Sequence, residues 1–291
     1  MIWMLILLLR CISALPLLLL HAIGVMAGWL TWLLDRGYRA RFRDNLRQAY
    51  PGNYNHLLKS SIAQNGMGAL ELLAAWTRPA HAVSRLVRTC EGWHHAAAAL
   101  AQKRPIIFVT PHLGSFDIAG RYVSNLLPYP LTAMYRPPKL KWLEPLMQAG
   151  RARDNGRTAP ATGAGVRILM KALKAGEATV ILPDQVPSGG EGVWAPFFGK
   201  PAYTMSLLPR LAHATDATVL FFFAERLSWG CGFKVHIQPM QGAFTGDRLT
   251  DACLLNQNIE SLIHMAPTQY LWSYNRYKHP AGAPLPDEAQ A

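Results

Sequence analysis

"PIIFVTPHLGSFDIAGRYVSNLL", residues 105–127, opens on four consecutive apolar side chains, Ile106 to Val109, and then passes through a short loop into a segment with helical spacing. A short apolar run of this kind reads as a strand buried on both faces, and apolar residues at three- and four-residue steps read as a helix. The same alternation continues along the chain. "LTAMY" (131–135), "ATVILP" (178–183), "ATVLFFFAE" (217–225) and "FKVHIQP" (233–239) are β-rich, while "KWLEPLMQAGRAR" (141–153), "GVRILMKALKAG" (165–176) and "CLLNQNIESLIHM" (253–265) have helical spacing. Strands alternating with helices predict an α/β fold, a mixed and largely parallel sheet flanked by helices.

At 291 residues the chain can form one large domain or two modest ones. No internal repeat or linker divides it. The economical division is a transmembrane or membrane-anchor segment over 1–34, a helical membrane-proximal region over 35–100, an α/β catalytic region over 101–279 and a frayed tail over 280–291. Cys11, Cys90, Cys231 and Cys253 are scattered and form no C-x-x-C pair, which argues against a disulfide framework or a thiolate zinc site and fits a reducing cytosolic face. The net charge of +12 points to an acidic partner, with nucleic acid, anionic lipid and phosphorylated substrate all open on composition alone.

Position narrows that choice. Residues 1–34 carry one formal charge, Arg10, and Cys11 to Leu34 carry none. As a helix the uncharged part would extend about 36 Å at about 1.5 Å per residue, against a hydrocarbon core of about 30 Å. Arg36, Arg39, Arg41, Arg43 and Arg47 follow at once, and the positive-inside rule holds them, with the body of the protein, on the cytoplasmic side. Pro16 and Arg10 interrupt the first half, so the segment reads either as a spanning helix or as an interfacial one. A cleaved signal sequence fits poorly, because the apolar region is long and its positive charges lie on the wrong flank.

His112 and Asp117 in "HLGSFD" stand in an H-x4-D arrangement after the first strand. A loop at the carboxyl edge of a sheet is where α/β folds expose their ligands, and a carboxylate near the first turn of the next helix is favoured by the helix dipole. The pair reads in two ways: as a helix cap beside a backbone-bonded histidine, or as an imidazole oriented to take a proton from a hydroxyl. Gly114 and Ser115 would then leave room for that hydroxyl. Competing motifs are missing from the sequence, which has no G-x-S-x-G elbow, no H-E-x-x-H and no phosphate-loop pattern. His94 and His95 read as surface residues. In "ILPDQVPSGGEGVWAPFFGKPAYT" (181–204) Asp184 leaves a strand into a glycine-rich loop, and Trp194, Phe197 and Phe198 read either as core or as a wall for an acyl chain.

Six ordered blocks, "TPHLGSFD", "AMYRPPK", "GRARDN", "LKAGEATVILPDQ", "FFGKPAYT" and "PTQYLWSYNRYK", closely resemble those of the bacterial lipid A late acyltransferases, within the lysophospholipid acyltransferase superfamily. The resemblance covers roughly residues 36 to 278 and includes "RFRDNLRQAYP" after the apolar segment. It implies an inner-membrane O-acyltransferase on the cytoplasmic face. Such an enzyme moves a fatty acyl group from an acyl thioester, on acyl carrier protein or coenzyme A, to a hydroxyl of a Kdo-bearing lipid A precursor. No metal or cofactor is implied, and nucleic acid drops out as a partner. By resemblance His112 is the general base and Asp117 its orienting acid. Arg151 stands where the family has an active-site arginine, with Arg153 the neighbouring alternative. Asp184 falls where related members carry a functional acid, and Arg136 is a candidate for phosphate or Kdo carboxylate. Many lipid A acyltransferases have Glu where this chain has Asp117, so a lysophospholipid or ornithine-type acceptor stands as the alternative, and a silent lipid-binding scaffold as a further one.

Overall fold

The computed structural model describes residues 2–138, 140–152, 155–187 and 190–286, without the side chains of 2–6 and 141. Its strands are β1 (Val87–Glu91), β2 (Ile106–Val109), β3 (Leu131–Tyr135), β4 (Gly156–Pro160), β5 (Ala178–Ile181), β6 (Gly192–Phe197), β7 (Lys200–Met205), β8 (Thr218–Arg226) and β9 (Phe233–Pro239). The helices are α1 (Ile2–Ala14), α2 (Leu17–Leu34), α3 (Arg36–Ala49), α4 (Tyr54–Thr77), α5 (Ala80–Ser84), α6 (Trp93–Ala101), α7 (Phe116–Leu126), α8 (Glu144–Arg151), α9 (Gly163–Lys174), α10 (Leu207–Thr215) and α11 (Arg248–Met265).

Seven strands form one sheet in the order β1-β9-β8-β2-β5-β3-β4, and β6 pairs with β7 as a separate antiparallel hairpin. β8, β2, β5, β3 and β4 run parallel; β9 returns antiparallel to β8, with β1 parallel to it. The mixed, largely parallel sheet expected from the sequence is therefore what forms. β2 occupies the centre, and all four of its residues are buried, as a strand covered on both faces requires. Alternate residues of the central strands enter opposite cores. Ile107, Val109, Phe221 and Phe223 pack with α3, α9, α10 and α11, whereas Ile106, Phe108, Leu220 and Phe222 pack with α6, α7 and α8.

Four strand assignments escape the sequence pattern. β1 is polar and only partly covered, β4 carries Gly156 and Pro160, β6 holds Pro196 and β7 opens on Lys200 and Pro201, so none presents a clean apolar run. Each is at a sheet edge or in the hairpin, where such residues are tolerated.

The apolar N-terminal stretch breaks at Pro16 into α1 and α2, since proline cannot donate to the helical ladder. α2 does not stand free. Its Leu17, Leu20, His21, Gly24, Gly28 and Trp32 face inward, chiefly onto α4. Glycines permit the contact: a Cβ built on Gly66 of α4 would fall 2.0 Å from the Gly24 carbonyl oxygen, and one on Gly28 would fall 2.6 Å from that of Ile62. Beside this crossing lies a buried charge network. Glu71 of α4 accepts from the Arg226 guanidinium through both carboxylate oxygens and bonds His21 Nε2 at 2.7 Å, and Arg226 Nη1 donates to Gln64 at 2.5 Å. Burial pushes the Glu71 carboxyl up, but Arg226 and His21 outweigh it and hold it below its ordinary value.

Gly66→Ala is expected to lower the thermal midpoint, corresponding to a loss of about 1–3 kcal/mol despite alanine's better helix propensity, because backbone must move to admit the methyl. Thermal unfolding of the purified full chain measures it.

Candidate active site

β2 and β5 are parallel neighbours in register, with Val109 opposite Ile181. His112 lies three residues past the first and Asp184 three past the second, so equal extensions from paired strand ends deliver the two side chains to one point on the carboxyl edge. There Asp184 Oδ2 accepts from the His112 backbone N–H at 2.8 Å, and Asp184 Oδ1 is 2.8 Å from His112 Nδ1. A carboxylate can only accept, so Nδ1 carries the proton and Nε2 presents its lone pair. Gln185 Nε2 lies 3.1 Å from that lone pair, in position to donate to it.

The loop that carries His112 is pinned on both sides. Leu271 N–H donates to the His112 carbonyl at 3.0 Å, Gly114 N–H to Gln269 at 3.0 Å, and Ser115 N–H to Ala224 at 2.8 Å. Gly114 has φ +57°, and a Cβ there would fall 2.1 Å from the Ala224 carbonyl oxygen. The glycine therefore serves the backbone path, in place of the expected role of opening space for a substrate. Ser115 is buried at the start of α7.

Asp117 does fall in the first turn of α7. The expectation that it orients His112 differs from the observed pairing: Asp117 faces Arg151, whose Nε and Nη2 donate to its two oxygens at 2.8 and 2.9 Å. Trp76 Nε1 adds a third donor at 3.1 Å. Helical geometry is the reason, because a residue in the first turn projects along the helix flank, whereas Asp184 comes off the adjacent strand level with the histidine. Arg151 is largely buried; burial lowers its pKa, but Asp117 more than compensates, and the net shift is upward.

Asp184 is itself almost wholly buried. Burial pushes its carboxyl up, while electrostatic attraction to His112, both hydrogen bonds from it and the nearby Arg276 pull it down, leaving it below its ordinary value. Arg276 is buried beside the hairpin, donating to the Tyr203 carbonyl and to Thr204 Oγ1 at 2.8 Å each. Tyr270, also buried and adjacent to Asp184, has its phenol pushed well up, first by burial and then by that carboxylate.

A cavity of about 50 Å³, partly open to solvent, lies beside Phe116 and the Asp117–Arg151 pair. Phe116, Gly120, Leu131, Met134, Val180 and Leu182 contribute its apolar walls, and Asp117 and Arg151 its charged side. Phe116 links it to the histidine, since the two rings meet edge-on at 4.9 Å between centroids. Trp194 and Phe197, by contrast, are core residues, and Phe198 packs against that core. Arg136 is exposed just past β3, on the same edge of the sheet as His112 and Asp184. Arg153 lies outside the described residues.

Sequence reasoning passed over Gln185, although it directly follows Asp184 in a quoted block. It also missed Trp76, for which no local signal exists, because the residue sits 41 positions before Asp117 on another helix. Arg276 lay unremarked within "WSYNRYK"; an arginine amid aromatics was the available sign.

Together these groups set an imidazole bonded to a buried carboxylate at the carboxyl edge, one ring away from an apolar cavity with an ion-paired guanidinium in its wall. The family described as "Bacterial lipid A biosynthesis acyltransferase" matches residues 1–279. The chain is 30% identical over 248 residues to the lipid A biosynthesis palmitoleoyltransferase of Escherichia coli K12, covering 81% of this chain and 77% of that one. It is 28% identical over 250 residues to the lipid A biosynthesis lauroyltransferase of the same organism, covering 82% and 79%. A lipid A biosynthesis acyltransferase of Haemophilus influenzae is 27% identical over 181 residues, covering 62% and 56%.

A group whose folded-state pKa is depressed stabilises the fold above its unfolded value, because below that value the unfolded chain binds the proton more readily. Asp184, ordinarily 3.8, therefore contributes fully above about that pH, and its contribution disappears as the pH falls further. Thermal midpoints measured from neutral pH down to pH 3 should fall more steeply for the parent than for Asp184→Asn.

Proposed function

Because the chain belongs to the bacterial lipid A biosynthesis acyltransferase family and is an acyltransferase, we propose that it transfers a fatty acyl group from an acyl thioester, borne by acyl carrier protein, to a hydroxyl of a lipid A precursor. The observation that carries the chemistry is the Asp184–His112–Gln185 line, with a protonated Nδ1 and an available Nε2.

In this reading the acceptor hydroxyl takes the place of the Gln185 amide on Nε2. His112 removes the hydroxyl proton as its oxygen attacks the thioester carbonyl, and Asp184 stabilises the imidazolium that results. The tetrahedral oxyanion needs donors in a water-poor setting. Two of the five N–H donors of Arg151 are committed to Asp117, and the guanidinium lines the cavity, so it is the candidate to meet that charge. Collapse breaks the carbon–sulfur bond, the imidazolium returns its proton to the leaving thiolate, and ester and thiol depart. Asp117 acts through Arg151 and is a positioning residue. The apolar walls of the cavity, Phe116, Leu131, Met134, Val180 and Leu182, suit contact with the acyl chain. Arg136, exposed on the reacting edge, suits an acceptor phosphate or sugar carboxylate, and Arg153 stands as the sequence alternative to Arg151.

In this reading the chain lies at a membrane, and what supports this is α2, with a mean hydropathy of 1.9 over Leu17–Leu34. Leu18, Met26, Leu30 and Leu33 are exposed along one face of it, opposite the face packed on α4. Residues 1–34 are then the membrane-contacting segment, 35–100 the layer behind it and 101–279 the catalytic region, on the cytoplasmic side of the inner membrane. The exposed arginines of α3 lie next to this face and suit anionic headgroups.

His112→Ala in the full-length, membrane-associated protein should abolish acyl transfer; undiminished turnover would refute the mechanism. Asp184→Asn should reduce kcat by roughly 10³–10⁴-fold by removing the partner that fixes the imidazole tautomer. Asp117→Asn should cost less in kcat, because its effect passes through Arg151. Mass spectrometry of lipid A and total lipid from a deletion strain tests the acceptor: loss of an acyl chain from a phospholipid or ornithine lipid, with lipid A intact, would reassign it. Nothing lies within 4 Å of a Cβ placed on Gly120 in the cavity wall. Gly120→Met should therefore preserve folding and shift preference toward shorter acyl donors, read from kcat/KM across a chain-length series.

A further inference from the structure

The turn between β8 and β9 contains Trp229, which is 84% exposed, more than any other large apolar side chain among the described residues. Its backbone sits at φ 57° and ψ 28°, in the left-handed region. A non-glycine residue there costs about 1–2 kcal/mol, and no packing of the tryptophan offsets it. An exposed aromatic held in a strained conformation suggests that its partner lies outside the folded chain.

The surroundings of the turn identify that partner. A Cβ on Gly230 would fall 2.5 Å from the Leu18 amide nitrogen, so the turn abuts the first turn of α2. Leu18 and Leu19 are each about half exposed there, and Leu7 and Leu8 of α1 are more than half exposed. Arg88, itself exposed, donates from Nε to the Cys231 carbonyl at 2.7 Å. The tryptophan thus extends an apolar surface that already exists, with a cation on its border. Tryptophan beside arginine at the edge of an apolar face is the composition of a membrane–water boundary.

The two ends of α2 constrain the orientation. Before its start, the Ser13 and Leu15 carbonyls accept from Arg78 Nε and Nη2, and Leu18 meets the β8–β9 turn. Beyond its end, α3 is tied to the α/β body by Arg41, which donates to the Ser273 carbonyl, and by Asn45, which donates to that of Trp272. A helix of 18 residues is about 27 Å long, and the body holds both ends of this one. If α2 crossed the bilayer, it would carry the sheet's own β8–β9 turn through the hydrocarbon.

We infer that the β8–β9 turn is a second membrane contact of this chain, seating Trp229 in the interface of an anionic phospholipid bilayer beside the start of α2, so that α2 lies along the bilayer surface. The inference rests on the reading above that the exposed face of α2 meets the membrane. Four exposed arginines of α3, Arg36, Arg41, Arg43 and Arg47, then mark one end of the contact, and Trp229 with Arg88 the other.

The test uses purified full-length protein and vesicles of phosphatidylcholine with phosphatidylglycerol. Glycine adopts φ 57° without strain, so Trp229→Gly should keep or raise the thermal midpoint while weakening vesicle partitioning on the order of tenfold. The emission lost in Trp229→Phe should be the part quenched by lipids brominated near the headgroup. Equal partitioning of parent and Trp229→Gly, or a Trp229 emission untouched by brominated lipid in bound protein, would overturn the inference while leaving the membrane face of α2 standing. The double variant Met26→Glu/Leu30→Glu tests that face independently: if it binds vesicles as the parent does, the underlying reading fails instead. A vesicle-free dimer that buries Trp229, detected by light scattering and a blue-shifted emission absent from Trp229→Phe, would also overturn the proposal.

Discussion

The parallel pairing of β2 with β5, Val109 level with Ile181, governs both the core and the chemistry. A one-residue slip in this register would turn every side chain of β2 to the other face and would separate His112 from Asp184. Register is held by burial on both sides. Ile107 and Val109 enter one core and Ile106 and Phe108 the other, so no shifted arrangement buries the same set. The hydrophobic pattern that folds the sheet is thus also what aligns His112 with Asp184. Backbone bonds from the Leu271 and Gly114 amides then fix the loop against the rest of the carboxyl edge.

Three groups of buried charges are paired, and each group joins separate elements of the fold. His112 with Asp184 joins the loops after β2 and β5, Asp117 with Arg151 joins α7 to α8, and Glu71 with Arg226 and His21 joins α4, β8 and α2. Burying such groups costs several kcal/mol per ion unless hydrogen bonds replace water, and each of these carboxylates accepts at least two. The pairs differ in what they leave available. Glu71 is engaged on both oxygens by a network with no reactive edge, which suits a structural brace. Asp184 leaves the far nitrogen of its histidine beside a cavity, which suits proton transfer.

The apolar N-terminal side follows a different rule. α2 is apolar nearly all round, yet glycines at 24 and 28 let one face approach α4 at backbone distance, leaving the opposite face uncovered. Close helix contact without large side chains maximises dispersion over a narrow seam. The catalytic edge and the apolar face are joined through α4, whose residues enter both cores and whose Trp76 bonds Asp117. The apolar face of α2 and the Asp117–Arg151 pair are therefore braced by one helix.

By itself the sequence determined the architecture. Five apolar runs named the strands at 106–109, 131–135, 178–181, 218–226 and 233–239, because burial on both faces demands unbroken apolar stretches. Its ordered motif blocks marked His112 and Asp117 as the expected catalytic pair, and Arg136, Arg151, Arg153 and Asp184 as expected substrate-binding residues. It also determined that an apolar N-terminal segment meets a basic one. The partners within that set were decided only by the tertiary structure. Spacing along the chain suggested His112 with Asp117, whereas strand register brings His112 to Asp184 and the flank of α7 turns Asp117 to Arg151. Nor could local pattern anticipate Trp76 on Asp117 or Trp229 beside Leu18, since those meetings span 41 residues and more than 200. The physical reason is that burial is written locally in each segment's side chains, while hydrogen-bond partnership depends on which elements the packed sheet sets side by side.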